Sequence, residues 1–335
     1  MKLQNHVIAL FALQVLTFGQ LVPIHKQTQR SFLTPETAFS LKSITIRVDC
    51  NNARAPVRSI AAALKLLGNV HPATLLISGT CHEHVNIAGL DRITLQGRPS
   101  ATIDGGTDPS FDAVDISDSQ EIYINDLKIT GGASGVVCTG QSLCRLVRLV
   151  VENSLGVGVS VNFRAHLSMV DSVVQNAADA GIFVLGGSIR IFGGSIVANG
   201  SDGIRVRNGG HLLASGSDLT PTATISNNGG NGIDANGHST IGLNGGDVRG
   251  NAGDGVALQG SSELNMLSSN IINNTGHQVR IGPLGLAFFA GFQSNTVVGA
   301  NPPDVACDPP FSATQRFSNL AGATTNCPEE LQPTP

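Results

Sequence analysis

Three side chains in the second half of the chain combine the residue types needed for acid–base chemistry on a charged substrate. Arg205 offers a cation, Asp234 a carboxylate and His238 an imidazole. A guanidinium can bind a carboxylate through paired hydrogen bonds, and an Asp or His beside it can move a proton. Such a patch could bind a uronate sugar and support β-elimination, epimerisation or hydrolysis. An ordinary exposed ion pair is the alternative interpretation.

A repeated pattern determines whether these residues meet. A glycine followed by an alternating apolar strand recurs along the chain, and the repeats begin at Gly135, Gly158, Gly181, Gly203, Gly232, Gly255 and Gln278. Most starts are 22 or 23 residues apart and one gap is 29, which marks a solenoid with one insertion, around residues 217–222. Two further short alternations per repeat, joined by Gly, Asn, Asp and Ser turns, predict an all-β parallel β-helix with three strands per coil.

The outward positions of the first strand follow from its alternation. The residue two places after each repeat glycine should face solvent, which predicts the row Asn86, Asp115, Val137, Ser160, Phe183, Arg205, Asp234, Ala257 and Arg280. Successive coils lie about 4.8 Å apart, so adjacent row members should be neighbours. The catalytic candidates are therefore Arg205, Asp234 and His238, with Asp254 as the second carboxylate that a hydrolase would need. The candidates for substrate binding are Phe183, Arg207, Asn236 and Arg280.

Asparagine and aspartate recur at two other repeat positions. Four or five residues before each repeat start stand Asn153, Asn176, Asn199, Asn228, Asn251 and Asn274, which we predict to stack as a ladder of side-chain amides. Asp202, Asn231 and Asp254 directly precede the glycine. They suit ordinary turns, and calcium ligation is the alternative, although calcium needs six or more oxygens. We expect no cofactor.

The remaining candidates for chemistry have structural interpretations. His82 and His84 flank Glu83 in the first coil, and we interpret both as exposed edge residues. The chain has no Trp and one Tyr, Tyr123, which argues against an efficient sugar cleft because sugar rings commonly stack on such side chains. Phe183 is the single aromatic residue of the predicted outer row.

Six cysteines predict disulfides in an exported chain. The spacing suggests the pairs Cys50–Cys81, Cys138–Cys144 and Cys307–Cys327, although six cysteines allow about 15 pairings. Zinc is the rival interpretation, and the sequence offers it neither a CxxC pair nor paired histidines at ligand spacing.

The ends of the chain predict export and capping. Lys2 and the apolar run that follows resemble a signal peptide over residues 1–20, with an uncleaved anchor as the alternative, so we expect a secreted, periplasmic or cell-surface protein. A linker over 21–43, an N-terminal cap over 44–78, the β-helix over 79–298 and a C-terminal cap and tail over 299–335 complete the predicted domains. The amphipathic segment Ser59–Leu67 is the predicted capping helix.

Charge limits the partners. The formal net charge is −4, the isoelectric point is about 6.1 and the 20 Lys and Arg are scattered. Binding of nucleic acid or an acidic membrane surface needs clustered cations, so we expect neither partner. The sequence gives no oligomeric state.

The opening coil resembles a known superfamily. Gly79–Ile87, Ile93–Gly97 and Ala101–Gly105 are similar to the opening of pectinesterase-like and pectate-lyase-like proteins, members of the pectin-lyase-like superfamily. The resemblance covers about Ile44 to Val298 and implies a right-handed, single-stranded parallel β-helix. It also implies contact with an extracellular or cell-wall polysaccharide.

The resemblance does not extend to a catalytic site. The motifs of polygalacturonases, pectinesterases and pectate lyases are absent from the sequence, and the segment Asn231–His238 matches a mannuronan epimerase motif only at Gly232 and Asp234, with His238 displaced by two positions. The leading hypothesis is thus polysaccharide contact with catalysis unproven. A polysaccharide lyase, uronate epimerase or glycoside hydrolase is one alternative, and a structural or adhesive surface protein is the other.

Overall fold

The computed structural model describes residues 43–68, 71–216, 222–289, 295–309 and 323–327. The predicted signal peptide, nearly all of the predicted linker and much of the predicted C-terminal cap lie outside these residues. Residues 217–221 of the predicted insertion also lie outside them. Within the described ranges, no helix is long and apolar enough to cross a membrane.

The described chain is built almost entirely from short strands and contains one helix. The first elements are β1 (Ile44–Asp49), α1 (Ile60–Leu67), β2 (Ala73–Ser78), β3 (Thr80–His82), β4 (Val85–Ala88), β5 (Ile93–Gly97), β6 (Thr102–Asp104), β7 (Val114–Ser117), β8 (Ile122–Asn125) and β9 (Lys128–Thr130). The central coils contain β10 (Val136–Thr139), β11 (Leu143–Val147), β12 (Val150–Glu152), β13 (Val159–Asn162), β14 (His166–Val170), β15 (Val173–Gln175), β16 (Ile182–Leu185), β17 (Ser188–Phe192), β18 (Ser195–Val197), β19 (Ile204–Arg207) and β20 (His211–Ser215). The last coils contain β21 (Thr224–Ser226), β22 (Ile233–Asn236), β23 (Thr240–Asn244), β24 (Asp247–Arg249), β25 (Val256–Leu258), β26 (Glu263–Leu267), β27 (Asn270–Ile272), β28 (Val279–Ile281), β29 (Leu286–Phe289), β30 (Thr296–Val298) and β31 (Val305–Cys307).

Each coil gives one strand to each of three parallel sheets. Sheet A has eleven strands, in the order β1-β2-β5-β8-β11-β14-β17-β20-β23-β26-β29. Sheet B has ten strands, from β3 to β30, and sheet C has ten, from β4 to β31. The predicted fold class, an all-β right-handed parallel β-helix with three strands per coil and one N-terminal helix, is confirmed. The segment 44–78 contributes β1 and β2 to sheet A as well as the helix.

Alternation along most strands produces the core. In β16, Ile182 and Val184 are fully buried while Phe183 and Leu185 face outward. Ser160, Ala257 and Ala306 are exceptions, because they stand at the outward position of sheet C but are only 6%, 4% and 3% exposed. Burying a Val or Ile side chain stabilises the fold by about 1.5–3 kcal/mol. Because the repeats align these residues, the three sheets enclose one continuous apolar interior.

The capping helix α1 is held by the first coil. Ser59 is its N-cap and accepts a hydrogen bond from the Ala62 amide at 3.1 Å. The Glu83 carboxylate accepts hydrogen bonds from the Ile60 amide at 2.7 Å and the Ala61 amide at 3.0 Å. A carboxylate at a helix N-terminus satisfies free amides and complements the helix dipole. Glu83 therefore acts as a cap for α1.

A buried amide ladder runs through the later coils. Asn199 donates to Asn228 at 2.9 Å, Asn228 to Asn251 at 2.9 Å, and Asn251 to Asn274 at 2.8 Å, in each case from Nδ2 to Oδ1. Each receiving oxygen also accepts the backbone amide of the donor residue. The ladder prediction is confirmed for these four asparagines.

The same prediction is wrong for Asn153 and Asn176. They stand five residues before the repeat glycine rather than four, and they adopt left-handed φ values of 56° and 54°. Asn tolerates this conformation better than most residues. The buried ladder position in those coils belongs to Ser154 and Ala177 instead.

Close packing against the ladder explains the repeat glycine. A Cβ on Gly203 would lie 2.7 Å from Asn228 Nδ2 and 2.7 Å from the Gly232 carbonyl oxygen, so no side chain fits there. In the last repeat this position is Gln278, whose buried carboxamide occupies the space that the next ladder residue would fill.

The three predicted disulfides are confirmed: Cys50–Cys81, Cys138–Cys144 and Cys307–Cys327 are bonded. The first links the end of β1 to β3. The insertion lies between β20 and β21, which are separated by eight residues where β17 and β18 are separated by two.

Candidate functional site

The predicted outer row lies on sheet C in the predicted register. Phe183 pairs with Arg205 across neighbouring strands, and Arg205 pairs with Asp234. Ala257 separates Asp234 from Arg280. A second outward row, two residues further along each strand, places Leu185 beside Arg207. These two rows form the outer face of sheet C.

The guanidinium group of Arg205 is bound by two carboxylates, those of Asp179 and Asp202. Its Nη1 and Nη2 donate to the two oxygens of Asp179 at 3.1 Å each, and Nε donates to Asp202 at 3.0 Å. Nη2 also donates to Ser201 Oγ at 2.9 Å. Burial by itself would lower the pKa of Arg205, but the hydrogen bonds to Asp179 and Asp202 outweigh it and raise the pKa. Arg205 therefore stays positively charged, and the carboxylates of Asp179 and Asp202 balance its charge on the outer face of sheet C.

Asp234 pairs with Arg207 and not with its register neighbour Arg205. Arg207 Nη2 donates to Asp234 Oδ2 at 2.5 Å, and Nη1 donates to the Asp234 carbonyl oxygen at 2.8 Å. The side chains are only 24% and 18% exposed. A substrate carboxylate would have to displace Asp234 before it could bind Arg207, and Asp234 would lose this partner if it acted as a base.

The other predicted site residues lie around this pair. Asn236 ends β22 in the second outward row, beside Arg207. His238 is exposed in the following turn, with a left-handed φ of 61°. Arg280 lies two strands from Asp234 and donates to Asp308 at 2.8 Å, a hydrogen bond that raises the Arg280 pKa. The structure thus brings Arg207 and Asp234 together and gives Arg205 and Arg280 other partners.

The turn before the repeat glycine forms a second ladder. Asp202 Oδ1 accepts the Asn231 amide at 2.8 Å, Asn231 Oδ1 accepts the Asp254 amide at 2.7 Å, and Asp254 Oδ1 accepts the His277 amide at 2.7 Å. One side-chain oxygen of each residue is therefore used by the turn itself, and calcium binding stays a prediction.

A surface groove that sequence reasoning missed lies at the corner between sheets C and A. Its volume is about 580 Å³ and it is lined by Asp118, Gly140, Gln141, Phe163, Arg164, Leu185, Gly186 and Asn208. One of the lining residues, Asn208, directly follows Arg207 in the chain. The groove combines two apolar side chains with carboxylate, amide and guanidinium groups.

Phe163 projects into this groove from a strained turn. Its side chain is 65% exposed, and Phe163 and Arg164 adopt left-handed φ values of 51° and 68°. A left-handed conformation costs a residue with a side chain about 1–2 kcal/mol. The Phe163 amide donates to the Leu185 carbonyl at 2.9 Å and the Arg164 amide donates to the Gly186 carbonyl at 3.0 Å. These hydrogen bonds fix the turn that exposes the Phe163 ring to solvent.

One signal could have found Phe163. The equivalent turn position in neighbouring coils is Gly140, Gly186, Asn208 or Gly237, residues suited to a positive φ. A bulky aromatic residue in that column departs from the turn chemistry. Phe163 directly follows the end of β13 and so belongs to none of the strand rows that the alternation predicts.

Comparison with known proteins supports the fold. Residues 77–219 match the family described as "Right handed beta helix region". The tailspike protein 2 of Escherichia coli O157:H7 bacteriophage CAB120 superposes with a TM-score of 0.55 and 12% identity, over 81% of this chain and 42% of the tailspike chain. No curated protein matches the chain in sequence.

Two enzymes resemble the chain more loosely. The A-module of the Azotobacter vinelandii mannuronan C-5 epimerase AlgE6 gives a TM-score of 0.48 and 16% identity, over 79% of this chain and 89% of that one. Pectate lyase Pel9A gives 0.48 and 14%, over 86% and 79%. The three parallel sheets make the chain a right-handed parallel β-helix protein, and the family match over residues 77–219 agrees with this fold.

Proposed function

We propose that this chain is an exported protein that binds an extracellular or cell-wall polysaccharide in the groove around Phe163. The exposed phenyl ring beside Leu185 carries the proposal. The C–H face of a sugar ring packs on an aromatic side chain, and its hydroxyls can bond to the side chains of Asp118, Gln141 and Asn208. Ligand sites typically occupy about 300–1,000 Å³ and combine apolar walls with a few polar groups.

Three disulfides support export. Such bonds persist in oxidising compartments and are rare in reducing ones. Residues 1–20 would then act as the signal peptide, and the mature chain would meet polysaccharide outside the cell or at its surface.

Binding without turnover agrees best with the charge pairing on sheet C. Arg205 is occupied by Asp179 and Asp202, and Arg207 is occupied by Asp234. A lyase or epimerase at this place would need a cation that is free to bind a uronate and a base that is free to take its proton. Chemistry there would have to break both sets of ion pairs.

Titration of the disulfide-intact chain with purified plant, algal and bacterial cell-wall polysaccharides tests the proposal. Phe163→Ala should abolish binding. Leu284→Ala is the matched control, because Leu284 is 59% exposed with a left-handed φ of 62° at a turn between sheets C and A. If no polysaccharide binds, the proposed function is wrong and the hypothesis of a structural surface protein remains. If Phe163→Ala binds as well as the parent protein, the groove is not the binding site. Product formation on pectate or alginate would favour an enzyme.

A further inference from the structure

The face of sheet A beside the groove carries arginines without partners. Arg145 in β11 and Arg190 in β17 are exposed, and Arg164 lines the groove. No ion pair or side-chain hydrogen bond joins any of the three to another residue in the described part of the chain. Of the other arginines in the described ranges, Arg47, Arg54, Arg58 and Arg98, which lie between β1 and the turn after β5, also lack such a partner, and those that pair with a carboxylate are Arg92, Arg148, Arg205, Arg207, Arg249 and Arg280.

Strand register places the free arginines in one column. Arg145 pairs with Ser168, and Ser168 pairs with Arg190. The two guanidinium groups therefore start from backbones two strands apart, a distance of about 9.6 Å. Tyr123 precedes Arg145 in the same column and adds an aromatic side chain. The column runs along the axis of the β-helix, perpendicular to its strands.

The column is continuous with the groove. The turn at Phe163 and Arg164 leads directly into β14, where His166 is exposed and Ser168 lies two residues further on. A ligand packed on the Phe163 ring can therefore extend across one row of side chains to reach Arg145 and Arg190.

We propose that the polysaccharide bound by this protein is acidic, with carboxylate or sulfate groups that contact Arg145 and Arg190 while a sugar ring packs on Phe163. This inference rests on the proposed function. A guanidinium binds a carboxylate or sulfate through two parallel hydrogen bonds, and an unpaired arginine gives up no existing ion pair to do so.

Nearby carboxylates define the direction of the ligand. Asp118 lines the groove, and Glu121 is exposed at the edge of sheet A directly before β8. Both lie on the side of the earlier coils and would repel an acidic group there. The acidic groups should therefore lie from Arg145 towards Arg190. The overall charge of −4 has little influence at this range, because charges beyond about 8 Å are screened at physiological salt.

The test compares polygalacturonate, heparin, neutral dextran and double-stranded DNA as ligands of the full disulfide-bonded chain at low and physiological salt. The variant Arg145→Gln/Arg190→Gln removes the column. Arg249→Gln is the control, because it removes the same kind of charge from an exposed arginine on sheet B. Melting temperatures of all variants confirm that each is folded.

We expect the double variant to bind the acidic polysaccharides at least about tenfold more weakly and with a smaller salt dependence, while Arg249→Gln binds within about twofold of the parent. Equal binding of neutral and acidic polysaccharides, or unchanged binding by the double variant, overturns the inference. Tighter binding of DNA than of either acidic polysaccharide also overturns it. If Phe163→Ala abolishes binding of a polysaccharide that the double variant still binds, the proposed function survives alone. If no polysaccharide binds, both fail.

Discussion

Asn274 Nδ2 donates a hydrogen bond to Gln278 Oε1 at 2.9 Å, and this contact ends the buried amide ladder. The same oxygen accepts the Asn274 backbone amide at 3.0 Å. Gln278 stands where earlier coils have a glycine that leaves space for the next asparagine. One residue thus replaces both the glycine and the ladder partner that a further coil would supply, so the stack can stop without leaving a buried amide unsatisfied.

Gln278→Gly should destabilise the last coils although it restores the repeat residue. Asn274 would lose the acceptor of its side-chain and backbone amides, and a buried unsatisfied donor costs about 1–3 kcal/mol. Chemical denaturation measures the loss, and hydrogen exchange should locate it near β27 and β28. Gln259→Ala, at an exposed glutamine, is the control and should change stability by less than about 0.5 kcal/mol. Equal stability of both variants would contradict a capping role for Gln278.

Asn228→Ala should be more costly, because it breaks the ladder in the middle. Asn228 is 1% exposed and bonds Asn199, Asn251 and the Ile196 carbonyl. Loss of at least about 3 kcal/mol is expected from two or more unsatisfied groups. The control is Asn153→Gly, which keeps a residue suited to the left-handed turn and should be nearly neutral. Similar losses for the two variants, measured by urea denaturation, would show that the two kinds of repeat asparagine are equivalent after all.

Repeat spacing predicted the fold and the outer row because a solenoid converts sequence intervals directly into strand register. Arg205 and Asp234 are neighbours as expected. Spacing could not predict which charges pair, because an arginine side chain reaches past its register neighbour. Arg205 therefore turns to Asp179, and Asp234 is left for Arg207. Turn conformations were also beyond the pattern, which is why Phe163 was missed.

The arginines of sheet A also show that side-chain placement is not evident from residue spacing. Arg145 and Arg190 are far apart in sequence, and a search for clustered charge finds no basic face. Only the register of sheet A, read through Ser168, places them in one column. Their freedom from carboxylates is a property of side-chain placement, which composition and net charge do not report.

Asp115→Asn should stabilise the protein at neutral pH. Burial, with a further effect of the Asp112 charge, raises the Asp115 pKa above its ordinary value of 3.8. The folded state therefore holds the Asp115 proton more tightly than the unfolded state. The contribution of protonated Asp115 to the free energy of unfolding is complete below pH 3.8 and is lost as the pH rises through the folded pKa. Denaturation at several pH values should show the variant to be more stable at pH 7, with the difference disappearing on acidification.

The control for this pH series is Asp171→Asn, at an exposed carboxylate in the turn that follows β14. It removes a carboxylate from a solvent-exposed position and so shows what the loss of the charge does without burial. A variant at Asp115 that is less stable than the parent at pH 7 would mean that the carboxylate has a favourable partner when charged.

Arg205→Ala separates a structural role from a catalytic one. The substitution leaves Asp202, whose side chain is 10% exposed, without its cation, and removing one partner of a largely buried pair is strongly destabilising, by up to about 3–5 kcal/mol. Polysaccharide binding at temperatures where the variant is folded should be unchanged, because the Phe163 groove and the sheet A column lie elsewhere. Arg205→Ala/Asp202→Asn should recover part of the stability, since only Asp179, whose side chain is 45% exposed, then lacks its cation. Loss of ligand binding or turnover in a folded Arg205 variant, with stability unaffected, would return the active site to the outer face of sheet C.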